Sequence, residues 1–430
     1  MMGNARRGTA ATLAALALLA TTACSSSTPE AEGPQERTLE ILTWTYEGVS
    51  QEWWETINAQ FEKEHPGVKI VMEQSESSAI IKDFVTQATA GQTAAVVHIP
   101  APLLTTLPWA EAGFLVPLTD WMEETGIADD LAADQVAMNW EGETYGLVFA
   151  YNARMLYVNA GALEDNGVAV PTTPEELLAA ATALDGWNGG DGYGFTTGDE
   201  DSLNFVNETL TFVAGMGGEY VKDGEWNWTD PTVVEAIDLF ATLGREHSPR
   251  GTSINDKYMA FETGNTAMMV DWTFRFEAAV RSATPEVSDQ ITLAVPPFPR
   301  TPIHISQGFG VSSAVDEETQ ELAKDFLELA LSEESQRLYA SIEPVVPANL
   351  AARAVIGEEE ATRPILEALQ RDTHMIVPAE YIGIRLNFAE FQSILNGVIR
   401  QLLQGEGDAA SAMADLQSRL EVSGLHPMEP

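Results

Sequence analysis

From Leu39 onward, short apolar runs alternate with amphipathic stretches. Leu39, Ile41 and Thr43 fall on one side of a short strand. Ser50 stands where it can cap the next helix, whose apolar face is Trp53, Trp54, Ile57 and Phe61. His65-Pro66-Gly67 ends that helix, and Val68, Ile70 and Met72 alternate in a second strand. Strand, helix and strand within about 35 residues form a βαβ unit, whose crossover should be right-handed. Thr173-Pro174-Glu175-Glu176 predicts a helix start, with Thr at the cap, Pro in the first turn and Glu three residues on. Asp230-Pro231 predicts another, carried by Val234, Ile237, Leu239 and Phe240 and stopping near Gly244. Leu322, Phe326, Leu329 and Ala330 share one face of a helix that begins near Thr319. Two last amphipathic helices run from Phe388 to Leu403 and from Ala409 to Leu420. There is no short-period repeat, and the pattern predicts an α/β protein with parallel-type sheets.

The N-terminus follows a different pattern. Arg6 and Arg7 precede an almost unbroken run of Ala, Leu and Thr from Thr9 to Ala23. That run is shorter than the roughly 20 residues a membrane span needs and fits a cleavable signal peptide over 1–23. Thr21-Thr22-Ala23 then leads to Cys24, the only cysteine, so the chain can form no internal disulfide. A cysteine here resembles the lipobox of bacterial lipoproteins, in which the thiol is acylated and becomes the first mature residue. Thr21 stands where the lipobox usually has Leu. An ordinary signal peptide with an incidental cysteine is the plainer reading. The polar stretch from Ser25 to Pro34 makes 24–37 a flexible, lipid-anchored tether. The expectation is an exported protein held through Cys24 on the outer face of the cytoplasmic membrane. The paired arginines leave Sec and Tat export both open.

Composition narrows the function. Of 430 residues, 65 are Asp or Glu and 22 are Lys or Arg, a formal net charge of −43. Such a surface repels nucleic acid and anionic headgroups, and the acids also serve to solvate an exported chain. With 45% hydrophobic residues, the part after the tether can bury two or three domains. His65, His98, His247, His304, His374 and His426 show no zinc-ligand spacing, and HExxH, GxSxG and P-loop motifs are absent. Gly308-Phe309-Gly310 fails the dinucleotide fingerprint at its third glycine. Asp199-Glu200-Asp201 lacks EF-hand spacing and reads as a solvated turn, with cation binding left open. No cofactor or metal is expected. Aromatic placement is more informative. Trp44 and Tyr46 follow the first strand, Trp226 and Trp228 flank a polar turn, and Trp272 and Phe274 follow an apolar strand. Aromatic faces suit the C–H faces of sugar rings, and core packing is the competing role. For Trp53, Trp54, Trp226 and Trp228 packing is favoured. For Trp44 and Trp272 the two roles stand level.

Several segments then fall in a familiar order. Tyr145-Gly146-Leu147 with Leu156-Tyr157-Val158-Asn159, and Pro171-Thr172-Thr173-Pro174-Glu175-Glu176-Leu177, come first. The stretch from Ala260 to Asp271 (AFETGNTAMMVD) is the most specific, followed by Ser306 to Ser312 and the helices at Ala323 and Leu331. In this order they resemble the sugar-binding, maltose-binding-like solute-binding proteins of bacterial ABC importers, from Leu39 to Leu420. Departures fall at Ala94-Ala95, at Pro100-Ala101-Pro102, and at Phe274, where the family commonly has Trp.

The resemblance implies a two-lobed, periplasmic-binding-protein-like α/β fold with the ligand in the interlobe cleft and a hinge of about three crossings. The crossings fall near Tyr151–Arg154, Pro299–Ser306 and Glu343–Asn349. One lobe would be 38–151 plus 306–343 and the other 152–305 plus 344–430. Function would be capture of a carbohydrate by hinge closure and delivery to an ABC permease by a monomer, with no bond made or broken. A polyol or other polar non-sugar solute is the alternative within that reading. A secreted glycoside hydrolase and an adhesive lipoprotein are the alternatives outside it. The expected ligand contacts are Trp44, Tyr46, Glu47, Tyr151, Asn152, Asn207, Asp271, Trp272, Phe274, Gly308, Phe309, Arg385 and Asn387. Asp271 and Glu47 would accept hydroxyl hydrogen bonds, and the rings would stack. Arg385 could instead pair with a surface acid.

Overall fold

The computed structural model describes residues 37–44, 50–75, 79–132, 135, 138–198, 202–356, 363–378 and 380–428. Cys24 with its signal and the tether up to residue 36, Tyr46, Glu47 and the Asp199-Glu200-Asp201 segment lie outside the described residues, while Arg37, the last tether residue expected, is the first residue of the opening strand.

The frame is a mixed sheet of strands β1 (Arg37–Trp44), β2 (Val68–Ser75), β3 (Val96–Pro100), β4 (Leu147–Asn159), β5 (Asp191–Tyr193), β6 (Thr266–Trp272), β7 (Ile291–Ala294), β8 (Thr301–Val311), β9 (Val346–Pro347) and β10 (Thr373–Met375). The main path runs β2-β1-β3-β8-β4-β6-β5. β7 and β9 also pair with β4, and β10 pairs with β8. The predicted βαβ unit is present. β1 and β2 pair in parallel from Arg37↔Val68 to Trp44↔Ser75, joined by helix α1 (Gln51–Glu64). Trp53, Trp54, Ile57 and Phe61 form the buried face of α1, as their spacing predicts.

The parallel-type expectation fails in the middle of the sheet. β8 is antiparallel to both β3 and β4, and β6 and β7 are antiparallel to β4. Strand direction is set by long connections, and a buried apolar run reads the same in either direction. β4 shows this most clearly: it is buried along its whole length and so carries no alternation. It also serves two neighbours in turn. Up to Ala153 it pairs with β8, and from Arg154 it pairs with β6. One continuous strand thus joins the two halves of the sheet at Asn152–Arg154.

Three apolar clusters fill the structure, and aromatic residues dominate them. Trp53 is closed off from solvent, and its indole N–H donates to the Ser335 carbonyl at 3.1 Å. Trp228 is equally buried, and Trp226 donates to the Leu425 carbonyl at 2.9 Å, so both are core residues. Each such burial contributes about 2–3 kcal/mol. Among the described residues, no helix is long and apolar enough to cross a membrane.

Candidate functional site

Two polar clusters sit on either side of the β4–β8 pairing. The first is charged. Strand β6 ends at Asp271-Trp272, and helix α5 (Ile254–Glu262) runs before it. Lys257 on α5 places its ammonium 2.7 Å from Asp271 and 2.5 Å from Glu208. Arg154 on β4 lies 3.6 Å from the same Asp271 carboxylate, whose Oδ1 also accepts the Trp272 N–H at 2.7 Å. All four charged side chains are buried. Burial alone would raise the Asp271 carboxyl, but Lys257 and Arg154 outweigh it and hold its pKa below the ordinary value. Burial alone would lower Lys257, yet Asp271 and Glu208 hold it above its ordinary value. Asp271, expected to accept hydroxyls from a solute, therefore has its oxygens engaged by its own chain.

What the cluster carries is the Trp272 ring. The Arg154 guanidinium lies 3.4 Å from its centroid, and His304 sits 5.2 Å away on another side. Burial, with the Arg154 charge adding to it, pushes His304 down to about 3, so the imidazole is neutral at physiological pH. Asn152 is fixed beside it, accepting from the Thr273 hydroxyl at 3.0 Å. Phe274, two residues past Trp272, is 41% exposed, unusual for a phenyl ring.

The second cluster is neutral along most of its length. Trp44, at the end of β1, stacks on His98 of β3 with centroids 3.8 Å apart and planes 28° apart. Behind that ring, the Thr43 hydroxyl and His98 Nδ1 hydrogen-bond at 2.8 Å, and His98 Nε2 meets Gln307 Oε1 at 3.2 Å. Gln307 donates to the Tyr339 hydroxyl at 2.9 Å, and Tyr339 donates to Glu343 at 3.0 Å. Burial pushes His98 down to about 3, offset in part by Gln307. Burial raises Glu343 to about 7 against the opposing pull of Tyr339, Ser50 and Arg281. Ser50 occupies the predicted cap position of α1, but its hydroxyl does not cap the helix and bonds to Glu343. Gln307 and His304 are three residues apart on β8, so the clusters stand about 10 Å apart along one strand.

The remaining expected site residues divide. Tyr151 is buried on β4 under the Arg353 guanidinium, 5.6 Å from its ring centroid. Gly308 is needed where it stands: a Cβ there would lie 2.3 Å from Met138 Cε and 2.9 Å from the Leu147 carbonyl oxygen. Phe309 is fully buried against His98 and Phe149, so it supports the site from the core and lines no cleft. Arg385 is buried, and its Nε donates at 2.7 Å to the carbonyl of Leu103, near the start of helix α2 (Pro102–Glu111). Asn207 is half-buried on the helix Ser202–Met216, one residue before Glu208. Asn387 is exposed and donates to the Gly383 carbonyl, closing a turn. Among the described residues, no group of three or more His, Cys, Asp and Glu side chains could hold a metal ion.

His98, Gln307, Tyr339 and Glu343 went unread in the sequence. A lone histidine in an apolar strand reads as core, and its partners lie 55 and 209 residues away.

The profile of the bacterial extracellular solute-binding protein family matches residues 56–368. The chain belongs to that family. A relative from Brucella abortus (strain 2308), named only as a binding protein, is 21% identical over 391 residues, covering 87% of this chain and 90% of its own. The GacH receptor of Streptomyces glaucescens GLA.O, solved unliganded and with acarbose, superposes with a TM-score of 0.74 at 19% identity over 90% of this chain and 98% of its own. UgpB from Mycobacterium tuberculosis, solved with glycerophosphocholine, superposes at 0.73 with 16% identity over 90% and 98%. The fold is that of the two-lobed periplasmic binding proteins, as the order of motifs implies.

Proposed function

We propose that this solute-binding protein captures a carbohydrate in the cleft between lobes 38–151 plus 306–343 and 152–305 plus 344–430, and passes it to an ABC permease. The observation that carries this reading is the pair of backed aromatic rings. Trp44 rests on His98 at the end of β1, and Trp272 rests on Arg154 at the end of β6, on opposite sides of the shared β4–β8 pairing. A ring held from behind needs little ordering to receive the apolar face of a sugar; Trp44 is half-buried, and Trp272 is 7% exposed. Phe274 adds an exposed ring beside Trp272. Closure follows because a solute touching both lobes binds the closed state better and shifts the population toward it. Cys24 would anchor the protein beside its permease; Cys24→Ala should release the protein without changing solute affinity. The acarbose complex of the GacH receptor supports a sugar. The glycerophosphocholine complex of UgpB favours the second reading, a polyol or other polar non-sugar solute.

A thermal-shift screen of the protein against sugars, polyols, glycerophosphodiesters and amino acids tests the reading. A ligand that binds only the folded state raises its stability by about 2.7 kcal/mol at a hundredfold excess over Kd. A sugar that raises the melting temperature and is recovered unaltered supports it. Turnover of the sugar would mark a hydrolase, and no response to any class would leave the adhesive lipoprotein.

A further inference from the structure

We propose that His98 is a positioning residue for the Trp44 ring, and that the hydrogen-bonded chain behind it transmits the protonation state of Glu343 to that ring. This rests on the reading above, in which Trp44 faces the solute. The chain is continuous: Thr43 to His98 at 2.8 Å, His98 to Gln307 at 3.2 Å, Gln307 to Tyr339 at 2.9 Å, and Tyr339 to Glu343 at 3.0 Å. Its members come from β1, β3, β8, helix α8 (Glu333–Ile342) and Glu343, the residue that follows that helix, so the chain crosses the sheet beneath the Trp44 ring.

The chain has two self-consistent directions. With Glu343 ionised, the carboxylate accepts from Tyr339, and the Tyr339 oxygen accepts from the Gln307 amide. Gln307 Oε1 then requires a proton on His98 Nε2, and Nδ1 accepts from Thr43. With Glu343 protonated, the carboxyl can donate to Tyr339, whose hydroxyl turns to Gln307 Oε1, already within 3.1 Å. A turned Gln307 amide then donates to His98 Nε2, and the ring carries its proton on Nδ1 toward Thr43. Between the two end states Glu343 gains one proton from solvent, the Gln307 amide rotates, and the imidazole gives up its Nε2 proton and regains one at Nδ1 by exchange with solvent, because an amide side chain does not relay protons. No net charge moves through the chain, because burial keeps His98 neutral. The tautomer changes and, with it, the dipole of the ring on which Trp44 lies 3.8 Å away.

The Glu343 end sits where a change can occur near neutrality. Its carboxyl is raised by burial to about 7. Tyr339 faces it from its own helix, the Ser50 hydroxyl from the start of α1, and the Arg281 charge from helix α6 (Arg275–Ser282). Glu343 stands three residues before Val346, where β9 pairs with Tyr151 and Ala150 of β4 in one of the expected hinge crossings.

The test needs no solute. On the full chain, the imidazole nitrogens of His98 are followed by ¹⁵N NMR between pH 5.5 and 8.5, assigned with His98→Asn. A 5-fluorotryptophan label at Trp44, assigned with Trp44→Phe, is followed by ¹⁹F NMR. The expected result is an inflection near neutrality in both signals, with the His98 nitrogens exchanging tautomer and never reaching the doubly protonated shift. Glu343→Gln should remove both inflections. Tyr339→Phe, which keeps the ring packed against Trp53 and Phe149 but lacks the hydroxyl, should remove them while Glu343 still titrates. Flat wild-type signals, or an inflection at Trp44 that survives Tyr339→Phe, would overturn the proposal. Either result leaves solute capture standing, because that is read separately by the thermal-shift screen.

Discussion

The two polar clusters meet the same requirement, an aromatic ring held firm at a strand end, by opposite means. Beneath Trp272 lie full charges, Lys257, Glu208, Asp271 and Arg154, paired at short range and sealed from water. Beneath Trp44 lies a chain of neutral groups with one carboxyl at its far end. Paired buried charges cannot change state without leaving a partner uncompensated, so the first cluster is fixed. A neutral chain can reverse its donors at little cost, so the second can adjust. The difference assigns the Trp272 side to foundation and the Trp44 side to response.

The most severe way to break that contrast is Lys257→Met. It strands Asp271 and Glu208 in the interior and should cost about 3–5 kcal/mol, read by urea or thermal unfolding. A loss under 1 kcal/mol would mean the charged cluster is not a foundation.

The contrast sharpens with pH. Glu343 has a folded pKa near 7 against an ordinary value of 4.5, so the folded state binds its proton more tightly. Stability from this group is fully present below about 4.5 and is lost as pH rises through 7. The shift corresponds to about 3 kcal/mol. Glu343→Gln should therefore raise the melting temperature at pH 8.5 and leave it unchanged at pH 4.5. Asp271 runs the other way. Its lowered pKa contributes stability above its unfolded value near 3.9, lost only as pH falls through the folded value. A melting temperature in Glu343→Gln that differs from wild type equally at both pH values would dismiss the adjustable end of the chain.

Arg385 joins the C-terminal helices to α2 through the Leu103 carbonyl. Losing a charged hydrogen bond of this kind costs about 1.5–3 kcal/mol, so Arg385→Ala should be milder than Lys257→Met in the same unfolding assay. Phe274→Ala should be smallest in stability, within about 0.5 kcal/mol, because Phe274 is a surface residue, 41% exposed. Its solute affinity should nevertheless fall about tenfold, the equivalent of 1.4 kcal/mol of lost stacking.

Much of the frame was legible in the sequence because it depends on local chemistry. Thr173 accepts from the Glu176 N–H and Asp230 from the Thr232 N–H, as their cap positions predict. Helices at Phe388–Leu403 and Ala409–Ser423 follow from their apolar stripes. Where local signals compete with packing, the sequence misleads. Gly244 lies in the last turn of its helix, which ends at Glu246 close to the expected stop, but what fixes the glycine is distant: a Cβ there would lie 2.9 Å from a Leu403 methyl. Ser50 reads as a cap, yet Glu343 takes its hydroxyl. Asp271 reads as a ligand acceptor, yet two cations from elsewhere in the chain occupy it. In each case the deciding partner is distant in sequence, and only the folded topology brings it near.

The central claim is that two backed tryptophans receive one small polar solute, which leaves unchanged. Calorimetric titration of the wild type and of Trp44→Ala, with the solute that gives the largest thermal shift, tests this most directly. The account predicts one solute per chain, recovery of the solute intact, and affinity lost at least tenfold in Trp44→Ala with little change in melting temperature. Full affinity in that variant, or a solute returned as a different compound, would contradict it.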